Sequence, residues 1–159
     1  MHLTHYTDYA LRTLIFLAAK GSPSTIAEVA ARFRISRNHL VKVVHSLGKT
    51  GLIKTERGKL GGIRLAMPAD QIMVGDVVRK MEVNFHLVEC FCPAHNQCPI
   101  TPVCDLKRVL EEAFEKFMNE LDRYTIADMV GEREPMMALL QTLGTDGKVP
   151  SPQSVAGVT

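Results

Sequence analysis

The sequence predicts a mainly α-helical fold in which three helices are followed by a short hairpin, a cysteine-bearing loop and a long helix. Three observations predict it. Apolar residues recur at helical spacing from Ala10 to Leu47, interrupted at residues that cap or break helices. Two short extended runs then flank a glycine-rich stretch at residues 56–62. Finally, Leu106, Val109, Leu110, Ala113, Phe114, Phe117, Met118, Leu121 and Tyr124 recur at three and four, the period of one helix face. The chain of 159 residues is 46% hydrophobic and 23% charged, enough for one ordinary domain with a real core, which excludes a collagen-like, mucin-like or wholly disordered chain. Residues 1–9 are polar and predict no signal peptide. No apolar run approaches the roughly 20 residues of a membrane helix, so a soluble, cytoplasmic protein without membrane contact is expected.

Taken in order, Thr7 can cap a first helix that runs to about Lys20, and Gly21, Ser22 and Pro23 stop it. Ser24 or Thr25 starts a second helix from Ile26 to Phe33. Ser36 caps a third that reaches Leu47, with Gly48 and Gly51 ending it. Residues 52–55 and 63–66 form a hairpin whose tip holds Gly58, Gly61 and Gly62. A short helix spans residues 74–81. Three helices and then a hairpin is the order of a winged helix-turn-helix. In IAEVAARFRISRNHLVKVV, Ala30 lets two helices cross closely, Ile35 plugs the turn, and Leu40 and Val43 face inward. Arg34 stands at the turn position that glycine often fills. We expect a DNA-binding domain over residues 1–82, a cysteine loop over 83–103, and a long helix with a C-terminal segment over 104–141. Periodicity extends that helix over 104–130, and residues 142–159 read as a tail without fixed structure.

Charge distribution says more than the net charge of +2. Nine basic residues lie between Arg32 and Arg64, with Glu56 the only acid among them. A basic surface of this kind draws phosphates by releasing counterions. Arg37, Asn38 and His39 occupy the first turn of the third helix, with Lys42 one turn on; this part of a helix-turn-helix enters the major groove. Arginine can pair with guanine and asparagine with adenine. Arg57 and Lys59 on the hairpin tip can reach the backbone or the minor groove of double-stranded DNA. Any one of these charges alone would be an ordinary solvated residue. The six histidines are scattered, and no nucleophile elbow, phosphate loop or dinucleotide fingerprint is present, so an enzyme is not expected.

All four cysteines, Cys90, Cys92, Cys98 and Cys104, fall within residues 90–104. Clustered thiols in a reducing cytosol are more often metal or redox ligands than disulfides. The spacing is C-x7-C-x5-C from Cys90, or C-x5-C-x5-C from Cys92. Structural zinc usually begins with a closer knuckle, which is absent here. Spaced thiolates on a loop stiffened by Pro99 and Pro102 suit an iron–sulfur cluster, while zinc, a bare thiol switch and inert cysteines stay open.

The chain resembles the NsrR/IscR family of winged-helix iron–sulfur transcription regulators over about residues 1–130. The resemblance rests on LTHYTDYALRTLIFLA, the helix-turn-helix, RGKLGGIRL, and VECF…NQCPITPVCDLK with TIADMV after it. It implies a homodimeric repressor of operator DNA with a 2Fe-2S or 4Fe-4S cluster on Cys90, Cys98 and Cys104. It suggests Asp8, contributed by the other subunit, as the fourth ligand. IscR-type members carry a histidine three residues after the last cysteine, where this chain has Lys107, so the resemblance leans to the nitric-oxide-sensing members. The first cysteine of those members commonly follows valine and an acidic residue or asparagine, which points to Cys90, whereas the Cys92 spacing is the IscR-like one. For such members nitric oxide nitrosylates the cluster and the repressor leaves its operator. The stripe on the long helix suits a second copy of the chain, the rival being packing against its own domain.

Overall fold

The structure, a computed structural model, describes residues 2–56, 58 and 61–142. The first helix, α1 (His5–Lys20), starts earlier than the sequence suggests. Thr4 is its N-cap in extended backbone, and the Thr4 hydroxyl accepts from the Thr7 N–H at 3.3 Å. Both threonines are cap-type residues, and burial separates them: Thr7 is fully enclosed inside the helix while Thr4 stays exposed. Gly21 closes α1 in the left-handed conformation at φ 66°.

Thr25 caps α2 (Ile26–Phe33) by accepting from the Glu28 N–H at 3.1 Å. Burial raises the Glu28 carboxyl, but hydrogen bonds from Lys20 and Ser24 and the charges of Lys20 and Arg32 outweigh it, holding it below the usual carboxylate range. The helix-turn-helix turn then forms at Arg34, at φ 54° and ψ 38°. Arg34 is the one non-glycine with positive φ among the described residues, so the turn needs the conformation that glycine adopts freely but uses arginine for it. Ile35 is 7% exposed beneath the turn, as expected of a plug.

Ser36 stands at the N-cap of α3 (Arg37–Lys49), but its side chain makes no capping bond, and the helix runs through Gly48 instead of stopping at Leu47. Gly51, at φ 74°, turns the chain into the wing. β1 (Ile53–Glu56) pairs antiparallel with β2 (Gly62–Leu65), Ile53 opposite Leu65. Ser24 adds a one-residue third strand: Ile63 N–H donates to Ser24 O at 2.7 Å and Ser24 N–H returns a bond at 3.0 Å. A side chain at Gly62 would lie 2.4 Å from Ser24 O, so only glycine permits this approach.

α4 (Val74–Met81) buries Val74, Val77, Val78 and Met81 against the body. Leu14, Phe16, Val29, Leu40, Val43, Leu47, Ile72, Val77 and Ile126 form one core, drawn from both sides of the cysteine loop.

The single helix expected over 104–130 is two. α5 (Asp105–Leu121) ends at Asp122, and α6 (Ile126–Val130) begins afresh. The break is a capping box: Thr125 accepts from the Asp128 N–H at 3.2 Å, and Asp128 accepts from the Thr125 N–H at 2.7 Å. The restart points Ile126, fully buried, into the core beside α1. Periodicity alone cannot show such a break, because the apolar stripe continues across it. A last helix, α7 (Arg133–Thr142), brings Leu140 into the core with Met136 and Met137 packed against it. The start of the expected tail, Thr142, is thus the end of a helix; residues 143–159 lie outside the described residues.

Candidate nucleic-acid interface and metal centre

The expected reading helix is presented outward. Arg37, Asn38, His39, Lys42 and Lys49 are exposed on α3, while Leu40, Val43, Val44 and Leu47 anchor its other face. What holds this helix is not legible in the sequence. The Tyr6 hydroxyl of α1 donates to the Lys42 carbonyl at 2.9 Å and lies 2.5 Å from Ser46 Oγ. With no side-chain cap from Ser36, the first-turn amides of α3 stay open to an acceptor from outside, such as a phosphate.

The nine basic residues do not act alike. The Arg32 guanidinium donates to the carbonyls of Leu140 and Gln141 at 3.3 and 3.1 Å, so it secures α7. Arg64 pairs with Glu56 across the hairpin. Lys54 is exposed on the wing. Arg57 and Lys59, expected at the wing tip, lie outside the described residues.

The cysteine segment lies between α4 and α5, with Cys90 in a 3-10 turn over Glu89–Phe91 and Cys104 as N-cap of α5. All four thiols are free and partly buried. Hydrogen bonds brace the loop beyond what its prolines supply. The Glu89 carboxylate accepts from the Gln97 N–H, folding the loop back on its own start. Asn96 accepts from the Cys98 N–H at 3.1 Å, and the Thr101 hydroxyl donates to the Cys98 carbonyl at 2.8 Å.

The thiols differ in one respect. Cys92 Sγ lies 3.2 Å from His95 Nδ1, while no hydrogen bond to the sulfurs of Cys90, Cys98 or Cys104 is found among the described residues. Cys104 Sγ does not cap α5, although the helix N-terminus favours a thiolate there. This donor chemistry, three soft and unengaged sulfurs on a braced loop, fits an iron–sulfur group. Among the described residues no three His, Cys, Asp or Glu side chains of one chain converge on a metal position. Asp8 sits in the first turn of α1, where its carboxylate takes the Arg12 guanidinium at 2.8 Å. Lys107, at the place of a possible histidine ligand, faces Glu111 at 3.4 Å along its own helix.

The α5 stripe is divided. Its C-terminal half packs on its own chain: Phe114 lies 5.1 Å from Phe85 between ring centres, Met118 is buried and Leu121 joins the core. Its N-terminal half is open, with Leu106 and Val109 63% and 49% exposed, and Val103 in the turn before the helix is 83% exposed. Beside the C-terminal half, a cavity of about 340 Å³ is walled by Leu3, Phe85, Leu87, Phe114 and Phe117. No described helix is long and apolar enough to cross a membrane.

Comparison with known proteins agrees with this architecture. The chain is 50% identical over 143 residues to a Bacillus subtilis (strain 168) protein named HTH-type transcriptional regulator NsrR, covering 89% of this chain and 98% of that one. It is 49% identical to a protein of the same name from Geobacillus kaustophilus, covering 89% and 97%. Among solved structures it resembles T. potens IscR, with a TM-score of 0.68, 25% identity, and 86% and 90% of the two chains covered. It also resembles oxidized Staphylococcus aureus CymR, with a TM-score of 0.66, 25% identity, and 83% and 98% covered. Residues 3–132 match the family described as Rrf2, iron-dependent transcriptional regulator. With an outward reading helix, a wing and this match over most of its length, the chain belongs to the Rrf2 family, and it is a DNA-binding transcription regulator, not an enzyme.

Proposed function

We propose that the protein is a homodimeric repressor that binds operator DNA through α3 and the wing while an iron–sulfur cluster is in place, and that nitric oxide relieves repression. The observation that carries the proposal is the set of three unengaged sulfurs on a braced loop that leads directly into α5. Cys90, Cys98 and Cys104 would hold the cluster, and the partner subunit's Asp8 would complete it. When bound, the cluster supplies iron that nitric oxide nitrosylates.

Every other part of the proposal belongs to the chain. A carboxylate is a harder and weaker ligand for iron than a thiolate, so the aspartate corner is the one most easily displaced. Arg12 pairs with Asp8 along the same helix and would compete with iron for its charge. The open half of α5, with Leu106 and Val109, together with Val103 in the turn before it, is where a second copy would bury apolar surface. Two copies present two reading helices, which matches a near-palindromic site. Arg37 and Asn38 read base edges, Lys42, Arg57 and Lys59 contact phosphates or the minor groove, and His39 shares the first turn of α3 with Arg37 and Asn38.

The choice of Cys90 over Cys92 is supported by the Cys92–His95 pairing, which leaves Cys90 as the unengaged sulfur. Serine variants purified without oxygen test the ligand set. Cys90→Ser, Cys98→Ser and Cys104→Ser should lose bound sulfide and visible absorbance, whereas Cys92→Ser should retain both. A colourless, zinc-containing wild type, or loss of the cluster from Cys92→Ser with retention in Cys90→Ser, would contradict this assignment.

A further inference from the structure

The junction between α5 and α6 is fastened to α4 more firmly than a loop between helices requires. Arg79 of α4 makes a two-pronged pair with Asp122, Nη1 to Oδ1 at 2.7 Å and Nη2 to Oδ2 at 2.5 Å. Around it the backbone is stitched: Val74 N–H donates to Tyr124 O at 2.9 Å, Ile126 N–H donates to Ile72 O at 2.8 Å, and Met73 bridges Thr125. Room for the carboxylate comes from Gly75, where a Cβ would lie 1.9 Å from Asp122 Oδ1.

Asp122 is an unusual choice for this place. It is the C-cap of α5, where the helix dipole opposes a negative charge. A cap alone would favour glycine, asparagine or a cation. The aspartate is therefore explained by what it holds, not by the helix it ends. Arg79 is also held by Asp76 of its own helix at 3.4 Å. The clasp thus has a glycine-made socket, a bidentate fork and backbone bridges on both sides.

Its position gives it a role. The 17 residues of α5 span about 25 Å at 1.5 Å per residue, with Cys104 at one end and Asp122 at the other. α4 lies against α1, whose Tyr6 holds the reading helix. We propose that Arg79 and Asp122 are positioning residues that form the fulcrum of α5, through which the state of the cysteine loop reaches the DNA-reading unit. This rests on the reading above that the cysteine loop governs DNA binding. With its C-terminal half packed on the body through Phe114, Met118 and Leu121, α5 converts a small shift at Cys104 into a change of tilt about the clasped end, and the tilt is passed to α4.

The test compares DNA affinity of cluster-loaded and cluster-free protein, using a duplex selected by the loaded wild type from a random-sequence pool. Coupling of this kind typically changes affinity about 5- to 150-fold. In Arg79→Ala and in Gly75→Ala, which displaces Asp122 with every charge kept, this ratio should fall towards one while sulfide content stays at the wild-type level. Arg79→Lys, which keeps the charge but not the fork, should retain part of the ratio. Unfolding curves of the cluster-free variants separate folding from coupling, because a merely structural clasp lowers stability and leaves the ratio alone. An unchanged ratio in both Arg79→Ala and Gly75→Ala would overturn the fulcrum. A wild-type ratio of one would overturn the parent reading as well.

Discussion

Arg34 shows how a single residue position can be read, and what that reading omits. Its place in the turn is recognisable because glycine is common there, yet only the structure shows the left-handed backbone that makes the position special. Arg34→Val should lower stability by about 1–2 kcal/mol in denaturant unfolding, because a β-branched side chain is poorly tolerated at positive φ. The same logic applies to contact with DNA. Arg37→Ala or Asn38→Ala should cost about 1–3 kcal/mol of affinity for a selected duplex and relax the preference at one base position. Lys42→Ala should weaken binding to all duplexes alike and reduce the salt slope by about one. Titrations at several salt concentrations distinguish the two kinds of loss. The residues that hold the reading surface in place were not legible. Tyr6 reads as one more aromatic on an amphipathic helix, and nothing local marks its bond to the Lys42 carbonyl, 36 positions away.

A cap set beside helix breakers was legible, and a cap inside a continuous apolar period was not. The second helix falls where the sequence puts it because Thr25 marks its start, and the short helix over 74–81 does so on its apolar period alone, since its N-cap Met73 makes no side-chain bond. The first helix shifts by a few residues because two threonines compete for one cap. The long helix divides because the reciprocal bonds of Thr125 and Asp128 were hidden inside a continuous apolar period. Those bonds have a consequence in acid. Bonds from the backbone N–H and hydroxyl of Thr125 hold the Asp128 carboxyl below its ordinary value of 3.8, and the Arg79 side chain does the same for Asp122. A carboxyl lowered in the folded state contributes stability above its unfolded pKa and loses it as the pH falls through the lowered folded value. Wild-type stability should therefore fall as the pH drops below about 4, where the unfolded chain takes up protons first, and Asp128→Asn should show a shallower acid slope. Equal slopes for the two proteins would contradict that origin. α7 makes a separate prediction. Leu140 is buried to 6% exposure, so Leu140→Ala should destabilise by about 2–5 kcal/mol in denaturant unfolding.

Across the whole molecule, the order of parts carries more than any one motif. A reading unit comes first, a thiol loop follows it, and a helix leads from the loop back into the core of the reading unit through Ile126 and Leu140. The chain after the cysteines therefore packs into the same core as the DNA-binding body. The basic stretch is legible and much of it is exposed on α3, although Arg32 and Arg64 make internal contacts that no charge count can reveal. The cysteine spacing gave legible donor chemistry, while the convergence of those donors is a property of tertiary and quaternary arrangement. The most direct measurement is the affinity of oxygen-free protein for a selected duplex, followed as nitric oxide is added and with bound sulfide counted beforehand. The account predicts that sulfide is present and that binding is lost as nitric oxide is titrated in. Sulfide-free protein that binds equally tightly, or sulfide-containing protein whose affinity is unmoved by nitric oxide, would contradict it.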